Sequence, residues 1–233
     1  MKSVTAAILL LAFTTSTAFG SDTDQTDQTE QKQEIDMSDP TSVFTAVGLQ
    51  GGTNGMQVFG QFGYSPENGR KHMGFVEYRN DDNLNNYRMR YFTPGASGLG
   101  VFADVSRSEH NVAGEDVAMN TAMAGLMQVL PINDKITLYP SLLAGSIWSN
   151  DKNAGQDVYN TTTIITLNTY ATYAVNDKVW LMLNPVYTYG IDGEDTRDIY
   201  LEFALGYRLS KTETVRLHAS NGNDVWFNYT QAF

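Results

Sequence analysis

From Thr41 to Phe233, apolar and polar residues alternate almost without interruption. Ile199, Leu201, Phe203, Leu205 and Tyr207 fall on one side of a period-two pattern; Tyr200, Glu202, Ala204, Gly206 and Arg208 fall on the other. Val179, Leu181, Leu183, Pro185, Tyr187 and Tyr189 form a second apolar row, and Ile165, Leu167, Thr169, Ala171 and Tyr173 a third. Leu99, Val101, Ala103 and Val105 oppose Gly100, Phe102, Asp104 and Ser106, and Tyr87, Met89 and Tyr91 oppose Arg88 and Arg90. Such alternation marks β-strands held between two different environments. Turn residues cut the region into about twelve strands, with ten as the alternative count. They fall near 42–50, 55–64, 72–80, 86–93, 98–106, 117–130, 135–148, 159–174, 178–190, 198–209, 213–220 and 224–233.

From the fifth strand on, the connections alternate between two kinds. Residues 131–135, 175–178 and 209–213 read as tight turns, whereas 107–116, 149–158 and 191–198 read as longer, acidic loops. Long loops at one end and short turns at the other fit a membrane barrel, and an even strand count returns both chain ends to the short-turn side. The tripeptide Asn-Asp-Lys occurs at Asn133 and again at Asn176, a spacing of 43 residues. Asn and Asp favour turn geometry, so the repeat reads as one turn solution used twice. A propeller blade has similar spacing, but a third copy is missing.

Upstream, Lys2 precedes an apolar run from Val4 to Phe13, and Ala18-Phe19-Gly20 places small residues where an export signal is cut. Residues 1–20 are expected to be a signal peptide, too short to span a membrane as a helix. Residues 21–40 carry Asp22, Asp24, Asp27, Glu30, Glu34, Asp36 and Asp39 against Lys32 alone, and no aromatic residue. Such a segment buries too little to offset its ordering entropy and reads as a disordered acidic tail. Residues 41–233 then form one domain. Composition sharpens this picture: 13 Tyr, 11 Phe and 20 Gly favour an all-β chain. A net charge of −11 argues against a nucleic-acid partner. The absence of Cys excludes a disulfide scaffold, a cysteine nucleophile and Cys-ligated zinc.

A soluble barrel turns its apolar rows inward, and a membrane barrel turns them outward. Strands of about ten residues match a tilted span of the bilayer, and the rows end in Tyr64, Tyr173, Tyr189, Tyr207, Tyr229 and Phe233, as interfacial girdles do. The last strand, Asp224 to Phe233, has Val225, Phe227, Tyr229 and the terminal Phe233 in phase; Gln231 departs, since an apolar residue is usual there. This ending resembles the C-terminal insertion signal of Gram-negative outer-membrane β-barrel proteins. By size and strand count the chain is similar to the small twelve-stranded monomeric porins for acidic sugars. The resemblance implies a transmembrane antiparallel up-and-down β-barrel, monomeric, in the bacterial outer membrane with its tail in the periplasm. It further implies contact with membrane lipids and lipopolysaccharide, and assembly by the barrel-assembly machinery. A soluble periplasmic binding barrel is the alternative fold reading.

With the polar rows inward, the charged lumen candidates are Glu77, Arg79, Arg88, Arg90, Asp104, Glu202, Arg208, Arg216 and His218. Their Arg excess favours passage of small anions, and the competing reading is a self-neutralising network that closes the lumen. Between these stand a narrow passive channel and a closed structural or adhesive barrel acting through acidic loops. His72, His110 and His218 form no Ser-His-acid spacing, so an enzyme is not expected, nor a cofactor. His72 is expected near a periplasmic turn and His110 in an outer loop. Asp151, Asn153 and Asp157 give a calcium-like spacing that lacks its closing Glu, since Thr162 stands there. Asp192, Glu194, Asp195 and Asp198 form a second acidic group suited to divalent ions that bridge lipopolysaccharide.

Overall fold

A computed structural model describes residues 35–66, 69–81, 84–112, 115–151 and 158–233. Within them the chain makes twelve antiparallel strands. The first six are β1 (Ala46–Gly52), β2 (Gly55–Tyr64), β3 (His72–Asp81), β4 (Leu84–Pro94), β5 (Leu99–Val112) and β6 (Glu115–Gln128). The rest are β7 (Ile136–Asp151), β8 (Val158–Ala174), β9 (Val179–Asp192), β10 (Arg197–Arg208), β11 (Glu213–Ser220) and β12 (Val225–Ala232). Leu130–Pro131 prolongs β6 beyond Val129 and pairs with Leu138 and Thr137. Each strand pairs with its neighbours in sequence, and β1 pairs with β12, Ala46 opposite Ala232 and Gly52 opposite Trp226. The sheet therefore closes, and no strand edge is left to recruit another chain. The twelve-stranded up-and-down barrel is the architecture expected from the alternation.

The start of β1 and the end of β12 meet at one end of the barrel, where Phe233 N donates to Thr45 O at 2.9 Å. We call this the near end. The Asn-Asp-Lys turns lie here and are built alike. Asn133 Oδ1 accepts from the backbone of Lys135 and Ile136, both at 2.9 Å. Asn176 Oδ1 accepts from Lys178 and Val179 at 2.9 and 3.0 Å. At the far end, β1 and β2 join through Thr53 and Asn54, and Gly55, just past the turn, takes the positive φ (87°) of a glycine bulge.

The far-end connections differ from expectation. Segment 107–116 is mostly ladder, paired out to Val112 with Glu115. The β7–β8 ladder reaches Asp151 with Val158, and β9–β10 reaches Tyr189 with Arg197. His110 accordingly stands on β5 opposite Leu84, not in a loop. Strand that rises past an apolar belt needs no apolar face, so its alternation fades while its hydrogen bonds continue.

The apolar rows face outward. Ile199, Leu201, Phe203, Leu205 and Tyr207 are all exposed, Ile199 at 66%. The rows through Leu183, Leu167, Val101 and Met89 are exposed as well. An outward belt of this extent suits hydrocarbon rather than water. Tyr64, Tyr91, Tyr173 and Tyr207 band it toward the near end, where Tyr64 stacks on His72 (4.6 Å) and His72 Nδ1 meets the Tyr91 hydroxyl at 2.6 Å. Inside, rings lie flat over small residues of the next strand. A side chain at Gly206 would strike the Trp180 indole at 2.1 Å, so Gly206 is what lets that ring lie against the wall.

The inward rows are not polar throughout. Met73, Phe92, Phe102, Met127 and Leu143 share the inward face with the charged candidates and form a buried cluster toward the near end. Residues 35–44 depart from the tail expected through Pro40. Met37 and Phe44 are buried against Ala46 and Ala232 with Ile35 packed on them. Residues 1–34, which hold the expected signal peptide and most of the tail, lie outside the described residues.

Candidate functional site

Adjacent strands bring the charged candidates together because each stands on the inward phase of its strand. Glu77 is opposite Arg88, Arg90 is opposite both Phe75 and Asp104, and Asp104 is opposite Met123. Across the barrel, Asn184 is opposite Glu202, and His218 is opposite Ala204 and Trp226. Glu77, Arg79, Arg88, Arg90, Asp104, Glu202, Arg216 and His218 all line one interior cavity of about 580 Å³. Arg208 holds the same phase but lies outside that lining. It sits at the near end, where its Nη2 donates to Asp36 Oδ1 at 3.2 Å.

Within the cavity the charges are partly paired. Arg88 Nε donates to Asp104 Oδ1 at 3.0 Å, and Nη2 to Oδ2 completes a two-pronged contact. Arg90 pairs with Glu77 and reaches over to β8, where Nη1 donates to the Tyr170 hydroxyl at 3.2 Å. His218 Nδ1 contacts Glu202 Oε1 at 2.7 Å, and its ring stacks on Trp226 at 5.0 Å. The Nε atoms of Arg79, Arg90 and Arg216 are buried with no protein partner. Four arginines thus face three carboxylates at mid-height, with Asp39 and Asp224 toward the two ends. A buried guanidinium with idle donors is a costly group that a ligand carboxylate would satisfy.

The near-end lining of the cavity is one that alternation alone does not reveal. Residues 37–41 and Phe44 contribute to it. The segment is held there at several points: the Tyr139 hydroxyl donates to Asp39 Oδ1 at 2.9 Å, and Asp39 Oδ1 also accepts from Thr41 N at 2.7 Å. Ile35, Met37 and Phe44 were the sequence signal, the apolar residues around an acidic stretch. Tyr170, Tyr200 and Met182 line the cavity too and were missed, although each lies in phase with its inward row.

The remaining candidates lie elsewhere. Val225 and Phe227 point outward and are exposed, and Phe233, at the near end, is 73% exposed. Tyr229 donates to Glu213 Oε1 at 2.8 Å. Gln231, the residue out of keeping with the C-terminal pattern, donates its amide to Ala232 O (2.9 Å) and Thr212 O (3.4 Å). Asn153 and Asp157 lie outside the described residues, as does the Asp151 side chain. In the second acidic group Asp195 pairs with Arg197 at 3.5 Å, and Arg197 stacks over Tyr189. Among the described residues no three His, Asp or Glu side chains are grouped to hold a metal ion.

A closed twelve-stranded antiparallel barrel with apolar rows outside and a charged cavity inside has the fold of the outer-membrane β-barrels. The chain is similar to the KdgM porin, in a structure described as a complex with disordered oligogalacturonate, at a TM-score of 0.51 and 12% identity, covering 82% of this chain and 99% of that one. It is also similar to the NanC porin (TM-score 0.49, 10% identity, 81% and 98% covered). The translocator domain of the autotransporter NalP from Neisseria meningitidis gives a TM-score of 0.42 at 13% identity, with 81% and 85% covered. At these identities the likeness to the KdgM porin speaks for the fold. No family model matches the chain, and no curated protein matches it.

Proposed function

We propose that the chain is an exported bacterial outer-membrane channel whose narrow lumen passes small anionic solutes. The observation that carries this reading is the convergence of Arg79, Arg88, Arg90 and Arg216 on one cavity, three of them with an idle buried Nε. Rings of Arg favour anions in pores. The KdgM porin, whose structure holds an acidic sugar chain, is a precedent for anion handling on this fold. In this reading the near end faces the periplasm, residues 1–20 are cleaved on export, and lipids, lipopolysaccharide and the barrel-assembly machinery are its partners. The exposed aromatic ending at Phe233 supports the last of these. The barrel works as a monomer and has no catalytic role.

The test is single-channel recording of the refolded barrel in a planar bilayer under a salt gradient. Discrete steps with an anion-selective reversal potential are expected, and replacing Arg88 and Arg90 together with Ala moves the reversal potential toward cations. Unchanged selectivity and conductance in that variant overturn the assignment. One observation favours a second reading, a closed barrel that acts through its exterior. Arg90 bridges to Tyr170, and residues 37–41 contribute to the near-end lining. A silent bilayer containing demonstrably inserted protein selects it.

A further inference from the structure

We propose that the preferred solute is an amphipathic carboxylate, a compact apolar or aromatic body bearing one carboxylate, in preference to a polyhydroxylated acidic sugar. The inference rests on the channel reading and names its substrate class. It comes from how the cavity divides around its circumference. The charged side chains stand on β3–β5 and on β10–β11. On the arc between them, β6 and β9 line the same cavity with Met123, Trp180, Met182 and Val186, and β7 and β8 add Ser141, Asn168 and Tyr170. A sugar bound against Met123, Trp180, Met182 and Val186 would leave the hydroxyls on that side without a hydrogen-bond partner, and each unmet hydroxyl carries a desolvation cost.

Several of the polar groups on that arc are engaged with the protein itself. Ser141 Oγ donates to Asn168 O at 3.1 Å, and the Thr166 and Thr188 hydroxyls bond each other at 3.1 Å. Among the described residues of β6 to β9, the Oδ1 atoms of Asn168 and Asn184 are buried acceptors without a partner, each open to a donor on a solute. Methionines are flexible and polarisable, so Met123 and Met182 can follow the shape of a varied apolar body. The anionic end has its own place. Arg90 lies over the Phe75 ring at 5.2 Å, so its guanidinium is supported on an aromatic face with Nε unpaired. Carboxylate on Arg90 with the body against Met123, on the strand beyond Asp104, fits the order of inward residues Arg90, Asp104, Met123 across β4, β5 and β6. A volume of about 580 Å³ is that of a small-molecule site.

The experiment compares two singly charged anions, 3-phenylpropionate and glucuronate, on the refolded full-length mature chain. Relative permeability is taken from reversal potentials in planar bilayers, and affinity from calorimetry in lipid nanodiscs. A preference for 3-phenylpropionate of about tenfold or more is expected, the scale at which an apolar pocket discriminates. Met182→Gln and Met123→Gln should narrow it, and Arg90→Gln should weaken both anions together, with heat-modifiable gel migration confirming that each variant folds. Equal or reversed preference in a barrel that conducts chloride overturns this inference and leaves the channel reading intact. If the barrel is silent to chloride, the channel reading falls and calorimetry alone decides. Preference for 3-phenylpropionate then keeps the site as a binding cavity, and absence of preference overturns it.

Discussion

Two neighbouring rows of inward residues run across β3 to β6 one step apart, and one of them carries charge while the other is wholly apolar. One holds Phe75, Arg90, Asp104 and Met123; the next toward the near end holds Met73, Phe92, Phe102 and Gly125, with Leu143 beyond. The strands, tilt and neighbours are shared, so the difference lies in the side chains. The apolar row is stabilised by packing: Phe92 and Phe102 lie 4.3 Å apart and Phe102 is only 2% exposed. The charged row is held by ion pairs that face a cavity. Packing thus sits toward the near end and charge at mid-height.

The largest effect should come from the packed row. Phe102→Ala leaves a void that neighbouring strands cannot close, and about 3–5 kcal/mol of stability should be lost. The midpoint of urea unfolding in vesicles, read as the folded band on unheated gels, measures it. Glu77→Gln should cost less, about 2 kcal/mol, below the ~3–5 kcal/mol of a fully dry broken pair, because Arg90 keeps Tyr170 and borders the cavity. It should also deepen anion selectivity, since it removes one carboxylate from the belt. A larger stability loss for Glu77→Gln than for Phe102→Ala would invert the comparison.

Why one row was legible in the sequence and the other was not follows from what a period of two reports. Alternation fixes the phase of a residue, so Ile199 through Tyr207 were correctly placed on one face and Arg88 and Arg90 on the other. It does not report height along the barrel. Phe92 and Phe102 share phase with Arg90 and Asp104, and only the ladder shows that they meet as an apolar layer. The turn reading of Asn133 and Asn176 succeeded because an Asn side chain caps its own backbone locally, needing no tertiary partner. Asn120 is the opposite case: a polar residue that stands on the outer face, opposite Arg107, whose hydrogen bond it accepts, so polarity alone does not mark an inward residue. Residues 35–44 were hidden by composition: Asp36, Ser38, Asp39, Thr41 and Ser42 outweigh Met37, although Met37 is 4% exposed.

That segment gives the next smaller effect. Tyr139→Phe removes the hydroxyl that donates to Asp39, and the loss should be about 1 kcal/mol, the usual net worth of one such bond. It should appear as faster proteolysis within residues 35–45 with the barrel's own unfolding midpoint almost unmoved. If the segment narrows the near end, the same variant also raises conductance. Unchanged proteolysis would mean that Met37 and Phe44 hold the segment by packing alone.

The smallest effect should come from an ion pair outside the cavity. Arg107 and Glu109 are joined at 2.8 Å on the outer face, each side chain 41% exposed. The chemistry matches that of Arg90 with Glu77, but both groups keep much of their water. Breaking the pair by Glu109→Gln should therefore cost about 0.5 kcal/mol or less, and that remainder should shrink further in high salt. Set beside Glu77→Gln, this variant measures the environment of the cavity. A wide gap between the two means that the lumen arginines sit where charge is poorly screened and an incoming carboxylate is strongly felt. Equal costs would mean a lumen as wet as the exterior, in which arginine placement has little hold on a passing anion.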